Sequence, residues 1–263
     1  MQILFESPSW ILSSLFVVFL SILIFTTLVW FVRKKIHIDS LKKNHDVAGF
    51  TFSIIGVLYS VILGFTVISA QERHNAVLKT IHTEALTLAD LYRDAALFPK
   101  ESRDAVRANL RSYINYVIQV EWKAPIHKKI RVQSQEIMDK IWNSYYEIEP
   151  QNQRMSVWYT QSIAKLNDFM NARLARQFSS WDHLSEMMWS LLLIGGAITV
   201  CFMCFFGLEN KRTQLLMVAL LAGYLSFILF LVYSLDHVFA GSQGIKPTAL
   251  EQVSSLFDRW DKS

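Results

Sequence analysis

Long uncharged apolar runs alternate with charged stretches along this chain. Four runs of 22 to 26 residues carry no formal charge, namely Ser7–Val32, Val47–Gln71, Met187–Leu208 and Thr213–Leu235. A helix rises 1.5 Å per residue, so about 20 apolar residues cross the hydrocarbon core of a bilayer. An ordinary soluble core does not need four such runs. The pattern therefore predicts four transmembrane helices.

The segment between the second and third runs, 72–186, has a different pattern. Its apolar positions recur at steps of three and four, as in Leu78, Ile81, Ala85, Leu88 and Tyr92. This is the spacing of one face of a helix. The segment has no glycine, and its three prolines, Pro99, Pro125 and Pro150, are expected to end helices. We predict an extramembrane bundle of four helices whose first and last helices continue spans two and three.

The predicted fold class is an all-α membrane protein with four transmembrane helices and an extramembrane helical bundle inserted between spans two and three. The predicted domains are 1–71 for spans one and two, 72–186 for the bundle, 187–235 for spans three and four, and 236–263 for a C-terminal tail. Apolar residues at helical spacing in the tail predict a short amphipathic helix over Thr248–Trp260. This helix lies either on the bilayer or on the bundle.

Small residues form an ordered row in the second run. The row consists of Gly49, Ser53, Gly56, Ser60 and Gly64, at steps of four, three, four and four. This spacing places all five on one face of a helix. Such a face either lines an aqueous pore or packs closely against another helix. In another rotation of the helix, the bulky residues Ile54, Val57 and Val61 face a pore axis and gate it by excluding water.

Small residues also mark the third and fourth spans. The pair Gly195-Gly196 with Thr199 lies in the third span, and Gly223 lies in the fourth. Glycine lets two helix backbones approach closely. We therefore predict close helix contacts at both places.

The distribution of charge predicts the orientation in the membrane. The chain has a net charge of +4, and part of the excess lies between the first two spans, at Arg33, Lys34, Lys35, Lys42 and Lys43. A basic cluster beside a span indicates a cytoplasmic loop or contact with anionic lipid headgroups, and it does not suggest nucleic acid as a partner. The short loop Glu209–Arg212 has two more basic residues. Both loops place the N-terminus and the segment 72–186 on the side opposite the cytoplasm.

Motifs of catalysis or metal binding are missing from the sequence. It has no glycine-rich phosphate loop and no G-x-S-x-G nucleophile elbow. His74 and His82 share a helix face near Glu84, but further ligands are lacking, so polar contacts are expected there. Cys201 and Cys204 lie inside the third run and are interpreted as small packing residues. We predict no enzyme activity, no cofactor and no metal.

Three charged residues of the bundle offer an acid and its partners. Glu84, Asp90 and Arg93 lie within three turns of the helix that continues the second span. We interpret them as helix-surface ion pairs, with Asp90 paired to Arg93 at i, i+3. A catalytic role is not expected.

Several motifs, spread over nearly the whole chain, resemble those of bacterial inner-membrane proteins that carry a bestrophin-like domain. They are His45-Asp46-Val47-Ala48-Gly49, Gly56-Val57-Leu58-Tyr59 with Gly64-Phe65, Glu84-Ala85, Leu91-Tyr92-Arg93-Asp94, Glu121-Trp122, and Leu235-Asp236 with Phe239 and Gly241. Val238 and Gln71 depart from the family pattern, in which a proline and an aromatic residue are common. The resemblance implies a multi-pass protein of the bacterial inner membrane.

More distant similarity to bestrophins implies a homo-oligomeric ring, with five as the expected number of subunits, around an anion pore lined by the second span. The implied partners are the lipid bilayer, further copies of the chain and a small anion. Bestrophins keep the helical domain in the cytoplasm, whereas the basic loops here place it in the periplasm, and we follow the charge pattern. The alternative function is a non-conducting membrane scaffold or envelope sensor whose bundle binds a partner.

Overall fold

The computed structural model describes residues 8–35, 45–123, 128–206, 208, 210–239 and 244–262, and its regular elements are all helical. The α-helices are α1 (Pro8–Lys35), α2 (His45–Asp94), α3 (Lys100–Tyr116), α4 (Lys128–Tyr146), α5 (Gln153–Ser179), α6 (Glu186–Phe202), α7 (Lys211–Asp236) and α8 (Thr248–Trp260). Short 3₁₀ turns follow α2 at Ala95–Leu97 and α6 at Met203–Phe205, and a π-helical turn, Val117–Glu121, follows α3. The all-α fold class is confirmed.

The chain forms two compact units. The first comprises Met1–Asn75 and Asp182–Gly244, and the second comprises Ala76–Trp181 and Ile245–Ser263. Helix α2 is continuous from His45 to Asp94, so the first bundle helix continues the second span, as predicted.

The predicted continuity between the last bundle helix and the third span is wrong. Helix α5 ends at Ser179, and α6 begins only at Glu186. Ser185 is the N-cap of α6, because its side chain accepts a hydrogen bond from the backbone N–H of Met188 at 3.2 Å. A serine cap satisfies one of the free N–H groups at a helix start and favours a break there.

Three helices in the described ranges are long and apolar enough to cross a membrane, namely α1, α2 and α7. The predicted third span, Met187–Leu208, is a shorter apolar helix of 17 residues, α6. The segment after this helix is bonded to α7 through Gln214, whose side-chain amide donates to the carbonyls of Met203 and Phe206 at 3.2 and 2.9 Å. Apolar composition continues to Leu208, but the helix does not.

Close helix contacts in the first unit depend on glycine. Helix α1 packs along α7, and a Cβ atom at Gly223 would lie 3.2 Å from Ile22 of α1. The Tyr59 side chain of α2 packs on α6 and donates to a backbone carbonyl of that helix at 3.0 Å. A Cβ atom at Gly195 or Gly196 would lie 2.8 Å from Tyr59. Both predicted contact points therefore occur in this unit.

The second unit is a helical bundle with a buried apolar core. The core contains Leu88 of α2, Leu110 of α3, Ile141 of α4, Phe169 of α5 and Phe257 of α8. Pro99 directly precedes α3, and Pro150 follows α4 after a short connection, in agreement with the predicted corners. The remaining predicted corner, Pro125, lies outside the described residues.

Helix α8 packs on the bundle, which is one of the two positions predicted for it. Val253 and Phe257 belong to the buried cluster that contains Tyr92, and the rings of Phe257 and Tyr92 stack with their centroids 3.7 Å apart. The Tyr92 hydroxyl donates to the Asp261 carboxylate at 2.7 Å. Burial by itself would raise the pKa of Asp261, but hydrogen bonds from Tyr92 and Arg111 lower it below its ordinary value. The C-terminal segment thus belongs to the second unit.

Candidate functional site

Helix α2 presents three different faces within the first unit. Its back is buried and includes Tyr59 and Leu63. Its front carries large exposed apolar side chains, among them Ile54, Val57 and Val61, which are 46%, 62% and 51% exposed. Successive residues turn by about 100° around a helix, so front and back are opposite and the row of small residues lies on the flank between them.

The row of small residues is not covered by the chain's own helices in the described ranges. A Cβ atom at Gly56 or Gly64 would meet nothing within 4 Å beyond its own helical turn, and at Gly49 the nearest atom belongs to Phe206 at 3.9 Å. Ser53 and Ser60 are exposed. Helix packing within the described part of the chain therefore does not explain this row, which is open to another copy of the chain, to a pore or to lipid.

The serine hydroxyls of this row are bonded to their own helix. Ser53 donates to the carbonyl of Gly49 at 2.9 Å, and Ser60 donates to the carbonyl of Val57 at 2.8 Å. A hydroxyl that donates in this way presents only lone pairs outward. The row is consequently smooth and only weakly polar.

The carboxylate of Asp236 is buried beside α2, just beyond the end of the uncharged stretch of that helix. Arg73 of α2 donates to Asp236 Oδ1 at 3.0 Å. The same carboxylate accepts from the backbone N–H of Leu184 at 2.7 Å and from Trp189 Nε1 at 3.3 Å. A buried carboxylate needs such donors to offset the loss of hydration. Asp236 thereby connects α2, the segment before α6 and the end of α7 within the first unit.

A second buried charge cluster surrounds Arg176 of α5 in the bundle. Arg176 donates from Nε to Glu84 at 2.6 Å and from its terminal nitrogen to Glu121 at 3.0 Å, and all three side chains are buried. The Tyr113 hydroxyl donates to Glu84, and its pKa lies well above the ordinary value because of burial and the Glu84 charge. The ring of Trp122 lies 5.4 Å from the guanidinium group. This pairing fixes the packing of α2, α3 and α5.

The interpretation of Glu84 as a helix-surface group is wrong, because its side chain is fully buried. The pair Asp90–Arg93 does occur on the surface, with a distance of 2.9 Å. Glu84 binds a residue 92 positions later, so no local pattern identifies its partner. The sequence signal for a buried partner was the position of Arg176, which lies seven residues after Phe169 and therefore on the same apolar face of α5.

Three motif residues that carry the family resemblance meet at this cluster. Glu84 lies 37 positions before the adjacent pair Glu121 and Trp122, but all three contact Arg176, which belongs to none of the quoted motifs. The π-helical turn contributes to this convergence, since Glu121 ends it and Trp122 follows it. Such turns add one residue to a helical turn and redirect the side chains after it.

The histidines and cysteines considered from the sequence lie apart from these clusters. His74 is partly buried and His82 is exposed on α2, and among the described residues neither belongs to a group of three potential metal ligands. Cys201 is a free thiol of intermediate exposure in α6. The side chain of Cys204 lies outside the described residues.

Comparisons with known proteins concern family and fold. A family model described as the Bestrophin-like domain matches residues 17–250, and no curated protein matches the chain. One variant of a bacterial bestrophin homologue from Klebsiella pneumoniae superposes with a TM-score of 0.69 at 12% identity, over 95% of this chain and 99% of that one. The structure of that homologue solved by Zn-SAD phasing gives 0.66 at 14% identity, over 92% and 96%. At such identities the structural likeness concerns the fold alone.

Proposed function

Because this chain belongs to the Bestrophin-like family, we propose that it is a homo-oligomeric membrane channel for small anions, with α2 lining the pore. It is a helical membrane protein, and the resemblance inferred from its motifs is confirmed. The proposal is supported chiefly by the surface of α2, which has a large exposed apolar front and an uncovered flank of small residues.

The three faces of α2 suit a helix that borders the axis of a ring. The back packs on its own subunit through Tyr59, so the opposite front faces the axis and the flank meets the next copy. Gly56 and Gly64 have no side chains and permit close approach of a neighbouring helix. We therefore assign the small-residue row to the contact between copies, with five copies as the proposed number. Ile54, Val57 and Val61 then form a hydrophobic constriction.

The sequence of the pore-lining stretch is compatible with anions. Rings of acidic side chains select cations in many channels, and the stretch Val47–Gln71 contains no acidic residue. The serine hydroxyls of the flank are already bonded to carbonyls of their own helix. We infer that the constriction acts by excluding water. The proposal that the permeating ions are anions rests on the family to which the chain belongs.

The combination of copy number and ion flux tests this function. Mass photometry of the purified protein gives the number of copies, and planar-bilayer recording in chloride solution gives the conductance. A ring with chloride conductance supports the proposal. A monomer without conductance contradicts it, and a stoichiometric partner bound through residues 72–186 then favours the scaffold or sensor function.

Replacing Val57 and Val61 by threonine is expected to increase chloride flux several-fold. Threonine has the shape of valine, but its hydroxyl group binds water, so a constriction that excludes water becomes easier to wet. Chloride efflux from liposomes measures the change. The control is Val17→Thr in α1, the same replacement at an exposed position of another span. Equal flux in all three proteins would show that the front of α2 does not form the constriction.

The orientation is a separate proposal, with the protein in the inner membrane and its N-terminus and central segment in the periplasm. Arg33 in the last turn of α1 donates to the carbonyl of Leu208, beside the loop Glu209–Arg212, which supports placing both basic loops on the cytoplasmic side. The rest of the first basic loop, 36–44, lies outside the described residues.

Reporter fusions after Leu97, beyond the end of α2, test the orientation. Alkaline phosphatase fused there is expected to be active, and a green fluorescent protein fused there is expected to be dark. The opposite pattern would place the bundle in the cytoplasm and would leave the proposal for the pore intact.

A further inference from the structure

Three potential metal ligands meet at the end of α7 in the first unit. One ligand atom from each of His183, Asp236 and His237 lies within 4.8 Å of the others. Asp236 ends α7, His237 follows it, and His183 lies in the segment before α6. The sequence did not reveal the group, because 53 positions separate His183 from Asp236.

The backbone fixes the hydrogen bonding of both imidazole rings. His183 Nδ1 lies 3.1 Å from the carbonyl oxygen of Asp236, and His237 Nδ1 lies 3.1 Å from that of Tyr233. A carbonyl only accepts, so each Nδ1 donates, and in the neutral form of each ring Nε2 has a free lone pair. Metal-binding histidines are oriented in this way by a hydrogen bond from the other ring nitrogen. The rings of His183 and His237 stack with their centroids 4.8 Å apart, so the two Nε2 atoms are on adjacent rings.

Asp236 supplies a positioned carboxylate beside these rings. Its side chain is fully buried, and Oδ1 accepts from Leu184 at 2.7 Å and from Arg73 at 3.0 Å. Among the described residues, Oδ2 accepts one long bond, from Trp189 at 3.3 Å, and it lies 3.9 Å from His237 Nδ1. A carboxylate oxygen has two lone pairs, so Oδ2 retains the capacity to bind a cation.

We propose that His183, Asp236 and His237 form a zinc site, with water as the fourth ligand. Zinc binds histidine and carboxylate at about 2.0–2.2 Å, usually with four ligands, and ligands on such an ion lie about 3.4 Å apart. The ligand atoms now lie within 4.8 Å of one another, so the cluster must contract, and the exposed His183 side chain is able to shift toward the other two ligands. Imidazole favours zinc over magnesium and calcium. Arg73 shares the carboxylate and repels the cation, so binding weaker than at a closed structural zinc site is expected.

Zinc titration of the metal-free, full-length protein in detergent tests the proposal. Calorimetry is expected to show about one zinc ion per chain, and His183→Ala and His237→Ala are each expected to weaken binding by about tenfold or more. The control is His82→Ala, which removes an exposed histidine of α2 outside the cluster and is expected to leave the affinity unchanged. Calcium is expected to give no saturable heat.

Thermal unfolding provides a second readout and checks the fold of each variant. Zinc is expected to raise the Tm of the wild-type protein, because a ligand that binds only the folded state stabilises it. The metal-free histidine variants should melt like the metal-free wild type but show no zinc-induced rise. Absence of saturable zinc binding in the wild type would overturn the proposal. Wild-type affinity in the double variant His183→Ala/His237→Ala would overturn it as well. Neither readout depends on ion conduction.

Discussion

Replacement of Arg176 by methionine is expected to destabilise the bundle of the second unit by about 3–5 kcal/mol, the cost of removing one partner from a buried ion pair. Glu84 and Glu121 both accept from Arg176, and all three side chains are buried. Methionine is long, flexible and apolar, so the loss is chiefly electrostatic and not a cavity effect. Since a typical domain has about 5–15 kcal/mol of stability in total, the variant is expected to unfold at a much lower temperature.

Thermal unfolding followed by circular dichroism measures this effect. The matched control is Arg93→Met, which breaks the exposed pair with Asp90 and is expected to cost less than about 1 kcal/mol. Adding Glu84→Gln to Arg176→Met removes one of the two uncompensated charges and is expected to restore part of the stability. If Arg176→Met melts like Arg93→Met, the cluster does not stabilise the bundle.

Local sequence rules predicted α1 and the two bundle corners that lie within the described residues. The uncharged run Ser7–Val32 corresponds to α1, Pro8–Lys35, because the length of an apolar run is itself the physical requirement for a span. Pro99 and Pro150 mark helix ends because proline lacks an N–H group. In the third run, helix α6 ends at Phe202, earlier than the predicted Leu208.

Contacts between distant residues could not be predicted in this way. Arg176 and Glu84 lie 92 positions apart, and His183 and Asp236 lie 53 positions apart, so neither pair leaves a periodic signal. Glu84 looked like an ordinary charged residue on a helix surface. On α2 itself, the position of Glu84 in the same apolar stripe as the buried residues Leu88 and Leu91 indicated burial, but the propensity of charged residues for the surface outweighed that signal.

The candidate site is a case in which the sequence predicts a surface but not its occupant. Helical periodicity alone places Gly49 and Gly56 on one face of α2, and the same periodicity places Val57 elsewhere. What meets the small-residue row lies outside its own helix, so a periodicity rule applied to one helix does not identify it. Two uses of the row were therefore open from the sequence, and only the proposed ring assigns it to the contact between copies.

Replacing Gly56 by leucine is expected to abolish assembly and leave the single subunit folded. A Cβ atom at this position meets nothing within 4 Å beyond its own helical turn, so the leucine side chain has room inside its own subunit. Leucine is also a better helix former than glycine, which is about 0.8–1 kcal/mol less favourable than alanine in a helix interior. In the proposed ring, however, the same side chain occupies the space of the neighbouring helix. Mass photometry is therefore expected to show single copies, with a Tm of the subunit at least as high as in the wild type.

Two further replacements separate assembly from folding. Gly196→Leu would bring a side chain within 2.8 Å of Tyr59 and is expected to destabilise the subunit itself. Thr27→Leu, at an exposed position of α1, is expected to leave the copy number and the Tm unchanged. A Gly56→Leu ring with altered chloride flux would mean that the small-residue row lines the pore. An intact Gly56→Leu ring with normal flux would mean that this flank faces lipid, because only acyl chains adapt to a new leucine without effect on assembly or conduction.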